Sequence, residues 1–398
     1  MVVWIQNPFD NLPAEGYRKQ RYWLMCEAFA RAGWKVVFWT SDFSHAKKEG
    51  RDQGSGIRDQ GSGIGDQGIE VRFVPTLPYS KNVSLERIRS HRAYAREWLR
   101  LALDNRTIEQ SDKPSLIITS TPTLSAAEAA LEIGHKFGAK VVVDVQDAWP
   151  ETFERLAPGG LGWMTRPFLA GMYRTARRIY READLVTGVC ERYRKLTGRE
   201  DYHRAYLGVE LKGTEARDRE RKRTAGASRM VRLVYSGNLG RTYDLGTVVK
   251  AVEANPDFEL DVAGFGSFTC DCPRVRFHGL LSAPDLQALL GRCDVGIIPM
   301  RPDSWIGVPN KLFDYSAAGL AIVSSLCGES SALLEKYRCG ATYNAGDASS
   351  LAAAVRKAML FGRGASRTMC EAEFDAVRIY DDYVSRVSQI VQGRPKSV

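Results

Sequence analysis

The sequence predicts an α/β protein made of two Rossmann-like, doubly wound domains facing across a cleft. Three observations carry that expectation. The chain has 398 residues, too many for one core and suited to two domains of roughly 200 residues each. Short apolar runs alternate with amphipathic segments, the pattern of a parallel sheet covered by helices on both faces. A charged stretch at Leu211–Met230, LKGTEARDRERKRTAGASRM, interrupts the alternation, which then starts again.

In order along the chain, MVVWIQ reads as the first strand, and Tyr17–Arg31 as an amphipathic helix ending at Gly33. The strands WKVVFWT, IEVRFV, SLIITS and AKVVVDV follow, with helices around Leu85–Leu103 and Ser125–Phe137, and DLVTGV closes the first half. Residues 51–68 read RDQGSGI RDQGSGI GDQG, a seven-residue repeat. It carries too little apolar content to fold and is expected to be a disordered loop. The predicted division is residues 1–207 for the first domain, 208–228 for a linker and 229–375 for the second domain. A C-terminal helix at 376–398 is expected to pack back toward the first domain. In the second half VRLVYS, FELDVAG, VRFHG, DVGIIPM and AIVSS are strands, with helices at Asp244–Ala254, Ala283–Cys293 and from Pro309. The last long helix is placed at about Glu371–Val391.

Bulk composition narrows the function classes. The chain is 44% hydrophobic and 26% charged, as in a folded protein. No apolar run approaches the ~18 residues of a membrane span, and the N-terminus lacks a basic leader. The eight cysteines are scattered, which points to a reduced, cytoplasmic setting. Cys270 and Cys272 form only C-x-C without a matching pair, so no metal site is expected. A net charge of +9 implies an anionic partner.

Three segments of the second half carry chemistry. GVPNKLFDYSAAG, Gly307–Gly319, begins a helix with Pro309, and free N–H groups at such an end favour a phosphate. Lys311 adds a full positive charge, and Asp314 lies one turn later on the same face, able to accept hydrogen bonds from a ribose. SGNLGR places Gly237, Asn238, Leu239 and Gly240 directly after a strand, with Arg241 able to fork onto phosphate oxygens. A tight turn with a solvated arginine is the alternative. Val262–Gly266 ends a strand with GFG; Thr269 stands where a dinucleotide fingerprint needs its third glycine. A backbone turn against a nucleobase suits it better.

Taken together, these segments resemble the GT-B fold glycosyltransferases, specifically glycosyltransferase family 4, and the resemblance spans nearly the whole chain. It implies that Arg241 and Lys311 meet the donor diphosphate as catalytic groups and that Asp314 holds the ribose. Asn238, Gly240, Phe265, Gly266, Val308, Pro309 and Asn310 are the further expected donor contacts. In the first half, NPFD followed by Glu15-Gly16 resembles the loop whose glycine lies near the transferred sugar, so Gly16 is a substrate-binding candidate. VDVQDAWPE resembles a D-x-W-P-E subgroup, which implies a catalytic position for Asp147; capping of a helix before Pro150 is the other reading. Two positions depart from the family pattern. Ile306 stands where the first of two acids is usual, and Thr242-Tyr243-Asp244 stand where a second lysine is common.

The resemblance implies a retaining, metal-independent transfer of a sugar from a nucleotide-diphosphate donor to a hydroxyl, with no bound cofactor. The expected acceptor is a glycan or lipid-linked intermediate of cell-surface polysaccharide synthesis. Arginine-rich segments with interleaved aromatics, Leu85–Leu99 and Met164–Lys195, suit an anionic membrane surface or a lipid-diphosphate acceptor; a solvated helix face is the plain alternative. No nucleic-acid recognition motif accompanies the charge. A cytoplasmic protein, peripheral on the inner membrane face, is therefore expected. The competing functions are a GT-B sugar-nucleotide 2-epimerase and a non-catalytic GT-B binding subunit.

Overall fold

The computed structural model describes residues 1–15, 18–51, 63–65, 68–81, 84–104, 108–154, 158–211, 230–240, 242–302, 304–362 and 364–393. They form two compact units, Met1–Tyr206 with Val377–Val398, and Leu207–Ala376.

The first unit is built on an eight-stranded sheet. Its strands run in the order His203–Arg204, Leu185–Gly188, Lys140–Val145, Leu116–Thr121, Val2–Gln6, Lys35–Ser41, Ile69–Val74 and Gly63–Gly65. All neighbours pair in parallel except the last two. Parallel strands are covered on both faces, which is why these runs are rich in Val and Ile without strict alternation. Trp4 and Trp39 are buried at their centre, with rings 5.2 Å apart, and Trp98 from the helix Leu85–Leu103 packs 6.5 Å from Trp39.

Two expectations change here. The first helix runs Arg21–Arg31 rather than from Tyr17. Its N-cap, Gln20, gives no side-chain bond, and the Tyr22 N–H donates instead to the Asp10 carboxylate at 3.0 Å. A cap from a distant loop fixes the start where local sequence could not. Part of the 51–68 repeat is also ordered: Gly63–Gly65 pairs antiparallel with Ile69–Val74. The edge of that strand offers unpaired backbone groups, which a chain turning back at once can satisfy. Residues 52–62 and 66–67 lie outside the described residues.

A buried ion pair ties this unit together. Arg21 meets Asp144 through two bonds of 2.8 Å and also donates to the Ala205 and Tyr206 carbonyls. Tyr22 and Thr187 donate to the same carboxylate at 2.8 and 2.7 Å. These donors hold the Asp144 carboxyl below its usual range although burial pushes the other way.

The second unit carries a six-stranded, all-parallel sheet. The order is Val275–Gly279, Phe258–Ala263, Val231–Ser236, Val295–Ile298, Ala321–Ser324 and Gly340–Thr342. The helix expected at Glu371–Val391 is two helices, Ala365–Glu373 and Ala376–Val391. At the break Phe374 is fully buried against the Phe313 ring, and Val209 exchanges backbone bonds with Phe374 and Ala376. Pairing with Val209 takes these backbone groups out of the helical ladder, an event that amphipathic periodicity does not record.

Candidate nucleotide-binding site

Three loops of the second unit leave the carboxyl ends of strands that are neighbours in the sheet: Phe258–Ala263, Val231–Ser236 and Val295–Ile298. The VRFHG strand falls between them in the chain but lies at the sheet edge. The first two loops are stitched side by side, Gly237 N–H donating to the Ala263 carbonyl and Leu239 N–H to the Phe265 carbonyl, each at 2.8 Å. This spacing depends on glycine. Gly264 has φ +145°, and a Cβ there would stand 1.8 Å from the Gly237 carbonyl oxygen. Gly266, at φ +146°, would bring a Cβ within 2.7 Å of Leu239 Cβ. Phe265 between them is 60% exposed. On the other side, Asp244 N–H donates to Pro299 O, and Tyr243 bridges Met300. Asn238 Oδ1 accepts from the Gly240 N–H at 2.6 Å, closing the turn.

Lys311 sits where these loops meet. It is 6% exposed, and its ammonium lies 4.0 Å from the Tyr243 ring centroid and 4.7 Å from that of Tyr235. A Cβ on Gly237, whose φ is +132°, would stand 2.6 Å from Lys311 Nζ, so the ammonium lies against bare backbone. Among the described residues no hydrogen bond or ion pair reaches this nitrogen. Burial lowers its pKa to about 8, against the pull of Asp314. A buried cation held by ring faces, with its donors unused, is arranged to receive an anion.

The helix carrying Lys311 runs Asn310–Ala317. Pro309, expected in the first turn, is the N-cap: its ψ of 151° is extended, and its carbonyl accepts from the Leu312 N–H at 2.9 Å. Val308 and Pro309 are buried, Asn310 is exposed and Asp314 is half-buried. The Gly307 carbonyl is pinned by Ser330 Oγ at 2.5 Å. Ile306 is half-buried, and its N–H donates to Ser304 Oγ at 3.3 Å. Tyr315 anchors the helix, its hydroxyl accepting from the Ser236 N–H at 2.9 Å and its ring filling the space beside Gly296. The departures at 242–244 have local purposes. Tyr243 covers Lys311, and Asp244 caps the helix Leu245–Ala254 through Thr247 N–H at 3.2 Å. Arg241 lies outside the described residues, as does Gly16.

In the first unit Asp147 is exposed on the loop after Lys140–Val145. Surrounding protein raises its carboxyl pKa, against the charge of Arg87 and a bond from the Ala148 N–H. That bond goes to the loop rather than to the helix Glu151–Glu154, and solvent at the exposed side screens the shift.

The two basic segments differ. In Leu85–Leu103, Tyr94 and Trp98 are buried, so its aromatics belong to the core rather than to an interface. Around Met164 the opposite holds: Trp163, Met164 and Phe168 are 64, 52 and 90% exposed. Trp163 and Met164 lie in the 3-10 turn Pro158–Thr165, and Phe168 lies on the helix Arg166–Glu182 that follows, where Arg174, Arg177 and Arg181 are also exposed. No helix among the described residues is long and apolar enough to cross a membrane.

A doubly wound unit with glycine loops and a buried lysine gathered at the carboxyl edge of its sheet defines an α/β nucleotide-binding architecture. Sequence profiles place it further. The glycosyl transferases group 1 family matches residues 231–360, and the glycosyl transferase 4-like domain matches residues 19–206. No curated protein matches the chain significantly by sequence. Among solved structures, sucrose-phosphate synthase from Thermosynechococcus elongatus superposes with a TM-score of 0.72 at 13% identity, covering 98% of this chain and 99% of that one. Anabaena HepE in complex with UDP and glucose gives 0.62 at 14%, covering 98 and 100%. The catalytic domain of starch synthase IV from Arabidopsis thaliana, bound to ADP and acarbose, gives 0.64 at 13%, covering 98 and 99%. The chain belongs to the group 1 glycosyltransferases of GT-B fold.

Proposed function

We propose that this protein is a retaining family 4 enzyme. In this reading it moves a sugar from a nucleotide-diphosphate donor to a hydroxyl of a glycan or lipid-linked acceptor in cell-surface polysaccharide synthesis. The observation that carries the donor half is the Lys311 ammonium, buried over two tyrosine rings beside the Gly237 backbone. The nucleotides in the HepE and starch synthase IV structures support the same class of donor.

In the reaction the acceptor oxygen bonds to the anomeric carbon while the bond from that carbon to the diphosphate breaks. The leaving diphosphate gains negative charge, which Lys311, Arg241 and the N–H groups at Asn310 and Lys311 are suited to stabilise. The acceptor proton passes to a departing phosphate oxygen, and Asp147 orients a sugar hydroxyl. Asp314 takes the ribose, and the open turn around Phe265 and Gly266 faces the base. The exposed Trp163, Met164 and Phe168 beside arginines fit attachment to an anionic membrane surface, where a lipid-linked acceptor resides.

The test is a thermal-shift screen of UDP-, GDP- and ADP-sugars, since a ligand of the native state alone raises the melting temperature. Product analysis by nuclear magnetic resonance with the stabilising donor follows. Epimerised donor without acceptor would reject transfer in favour of the epimerase. Stabilisation that survives Lys311→Ala would reject the donor site.

A further inference from the structure

In the first unit's sheet the chain runs out in opposite directions from two neighbouring strands, Val2–Gln6 and Leu116–Thr121. Open doubly wound sheets receive ligands at the carboxyl ends of such a pair. The loop that leaves Val2–Gln6 is held at two points. Asn7 ties its start: Oδ1 accepts the Phe9 and Asp10 N–H groups, each at 2.8 Å, and Nδ2 donates to Ser120 Oγ on the neighbouring strand at 3.0 Å. Further along, a single residue, Arg51, reaches both ends of the segment Asp10–Glu15. Its Nη2 donates to the Asp10 carbonyl at 2.6 Å, and its Nε lies 3.4 Å from Glu15 Oε1. Its Nη1 donates to Thr40 Oγ1 at 3.2 Å and its backbone N–H to the Asp42 carbonyl at 2.7 Å, which fixes this clamp to the end of the strand Lys35–Ser41. Glu15 in turn accepts the Leu12 N–H on Oε2 at 2.8 Å, and the Asp10 carboxylate caps the helix Arg21–Arg31 through the Tyr22 N–H.

Arg51 opens the seven-residue repeat, RDQGSGI, which no part of the donor site uses. Its side chain is 3% exposed. Burial pushes the guanidinium pKa down, and the charges that act most strongly against this are Glu15 and Asp10, both on the loop. A buried ion pair of this kind holds a fold no better than apolar packing of the same volume. What the guanidinium supplies is geometry: one rigid, planar group fixes the spacing between Asp10 and Glu15, which a flexible or apolar side chain would leave free. Gly16, which the family resemblance places beside the transferred sugar, follows Glu15 directly in the chain. At a reacting centre a displacement of about 1 Å can cost on the order of a hundredfold in rate.

We propose that Arg51 is a positioning residue of the sugar-transfer reaction: by clamping Asp10 and Glu15 it sets the loop that presents Gly16 to the sugar. This rests on the sugar-transfer reading above. The probe is UDP-glucose, or the GDP- or ADP-sugar that stabilises the protein in its place, with water as the acceptor. The water oxygen bonds to the anomeric carbon, the bond from that carbon to the diphosphate breaks, and one water proton passes to the released nucleotide. Arg51→Gln should lower kcat at least tenfold, while affinity for the free nucleotide, held in the second unit, stays within twofold. Arg51→Gln combined with Glu15→Gln removes both charges, so neither is buried alone. This double variant should recover the melting temperature lost in Arg51→Gln but not its kcat, and it keeps the comparison where Arg51→Gln alone fails to fold. A kcat that recovers with the melting temperature in the double variant, or that Arg51→Gln leaves unchanged, overturns the proposal. Nucleotide binding that weakens in step with turnover would also overturn it, as a defect of the whole fold. Failure of the transfer reading shows separately, as wild-type protein that binds a donor and consumes none of it.

Discussion

Replacing Lys311 by Met should stabilise the unliganded protein while removing nucleotide binding. The side chain is 6% exposed, and its pKa is lowered from an ordinary 10.5 to about 8, chiefly by burial. At 1.36 kcal/mol per pH unit this difference is about 3 kcal/mol held against the charged form. The ring faces of Tyr235 and Tyr243 return ~0.5–2 kcal/mol through cation–π attraction. A methionine of similar length keeps the packing and removes the penalty, so a net gain of about 1–3 kcal/mol is expected at neutral pH. For a unit of this size that is a rise of several degrees in melting temperature. The pH dependence has a definite sign. The unfolded chain keeps the proton up to pH 10.5, whereas the folded chain releases it above about 8, so the unfolded state binds more protons in between. Wild-type stability from this group therefore rises as pH increases from 8 toward 10.5, and the Met variant lacks the rise. A bound diphosphate restores the ammonium, so nucleotide binding near pH 8–9 takes up a proton, measurable by calorimetry in buffers of different ionisation enthalpy. Urea titrations with and without the stabilising nucleotide test the whole argument. A Met variant that is less stable than wild type without ligand, or that binds nucleotide as well as wild type, would refute it.

Three further outcomes follow from the same geometry. Gly264→Ala places a Cβ 1.8 Å from the Gly237 carbonyl at φ +145°; it should cost at least ~1–3 kcal/mol from the backbone alone and lower nucleotide affinity. Gly291→Ala, where the new atom meets nothing within 4 Å, serves as the neutral control in the same denaturant series. Asp144→Asn leaves buried Arg21 without its carboxylate and should destabilise the first unit by ~3–5 kcal/mol in urea unfolding, while nucleotide binding in the second unit is retained. Trp163→Ser with Phe168→Ser should reduce co-sedimentation with phosphatidylglycerol vesicles several-fold, and equal binding of wild type to pure phosphatidylcholine would reject the anionic surface.

How much of this was legible in the sequence depends on the range over which each feature is determined. Lys311 and Asp314 share a helix face because they are three residues apart, so their pairing is a local property that the motif carries. The adjacency of SGNLG, AGFG and PNKLFD is not local: VRFHG separates them in the chain and only the sheet order moves it to the edge. The breaks at Arg21 and Phe374 were hidden for the same reason, since Asp10 and Val209 come from elsewhere to fix them. In the sequence Tyr235 is one residue of the strand VRLVYS and Tyr243 a departure from a family lysine, and their shared purpose exists only once both rings meet the Lys311 ammonium.

The arginine-rich helix is a different kind of miss, because its signal was present. Arg87, His91, Tyr94 and Trp98 follow one another at spacings of four, three and four, which is a single stripe on a 3.6-residue helix. Reading the arginines as one basic population concealed that Arg87 belongs to the inward stripe while Arg89, Arg92 and Arg96 lie on the exposed side. Helical phase, rather than charge count, separates a cation packed against aromatic rings from one that solvates a surface. The same criterion distinguishes the buried aromatics of this helix from exposed Trp163 and Phe168, although both segments have similar composition. A basic patch therefore acquires functional meaning residue by residue, from which side of its helix each charge occupies and which rings it meets there.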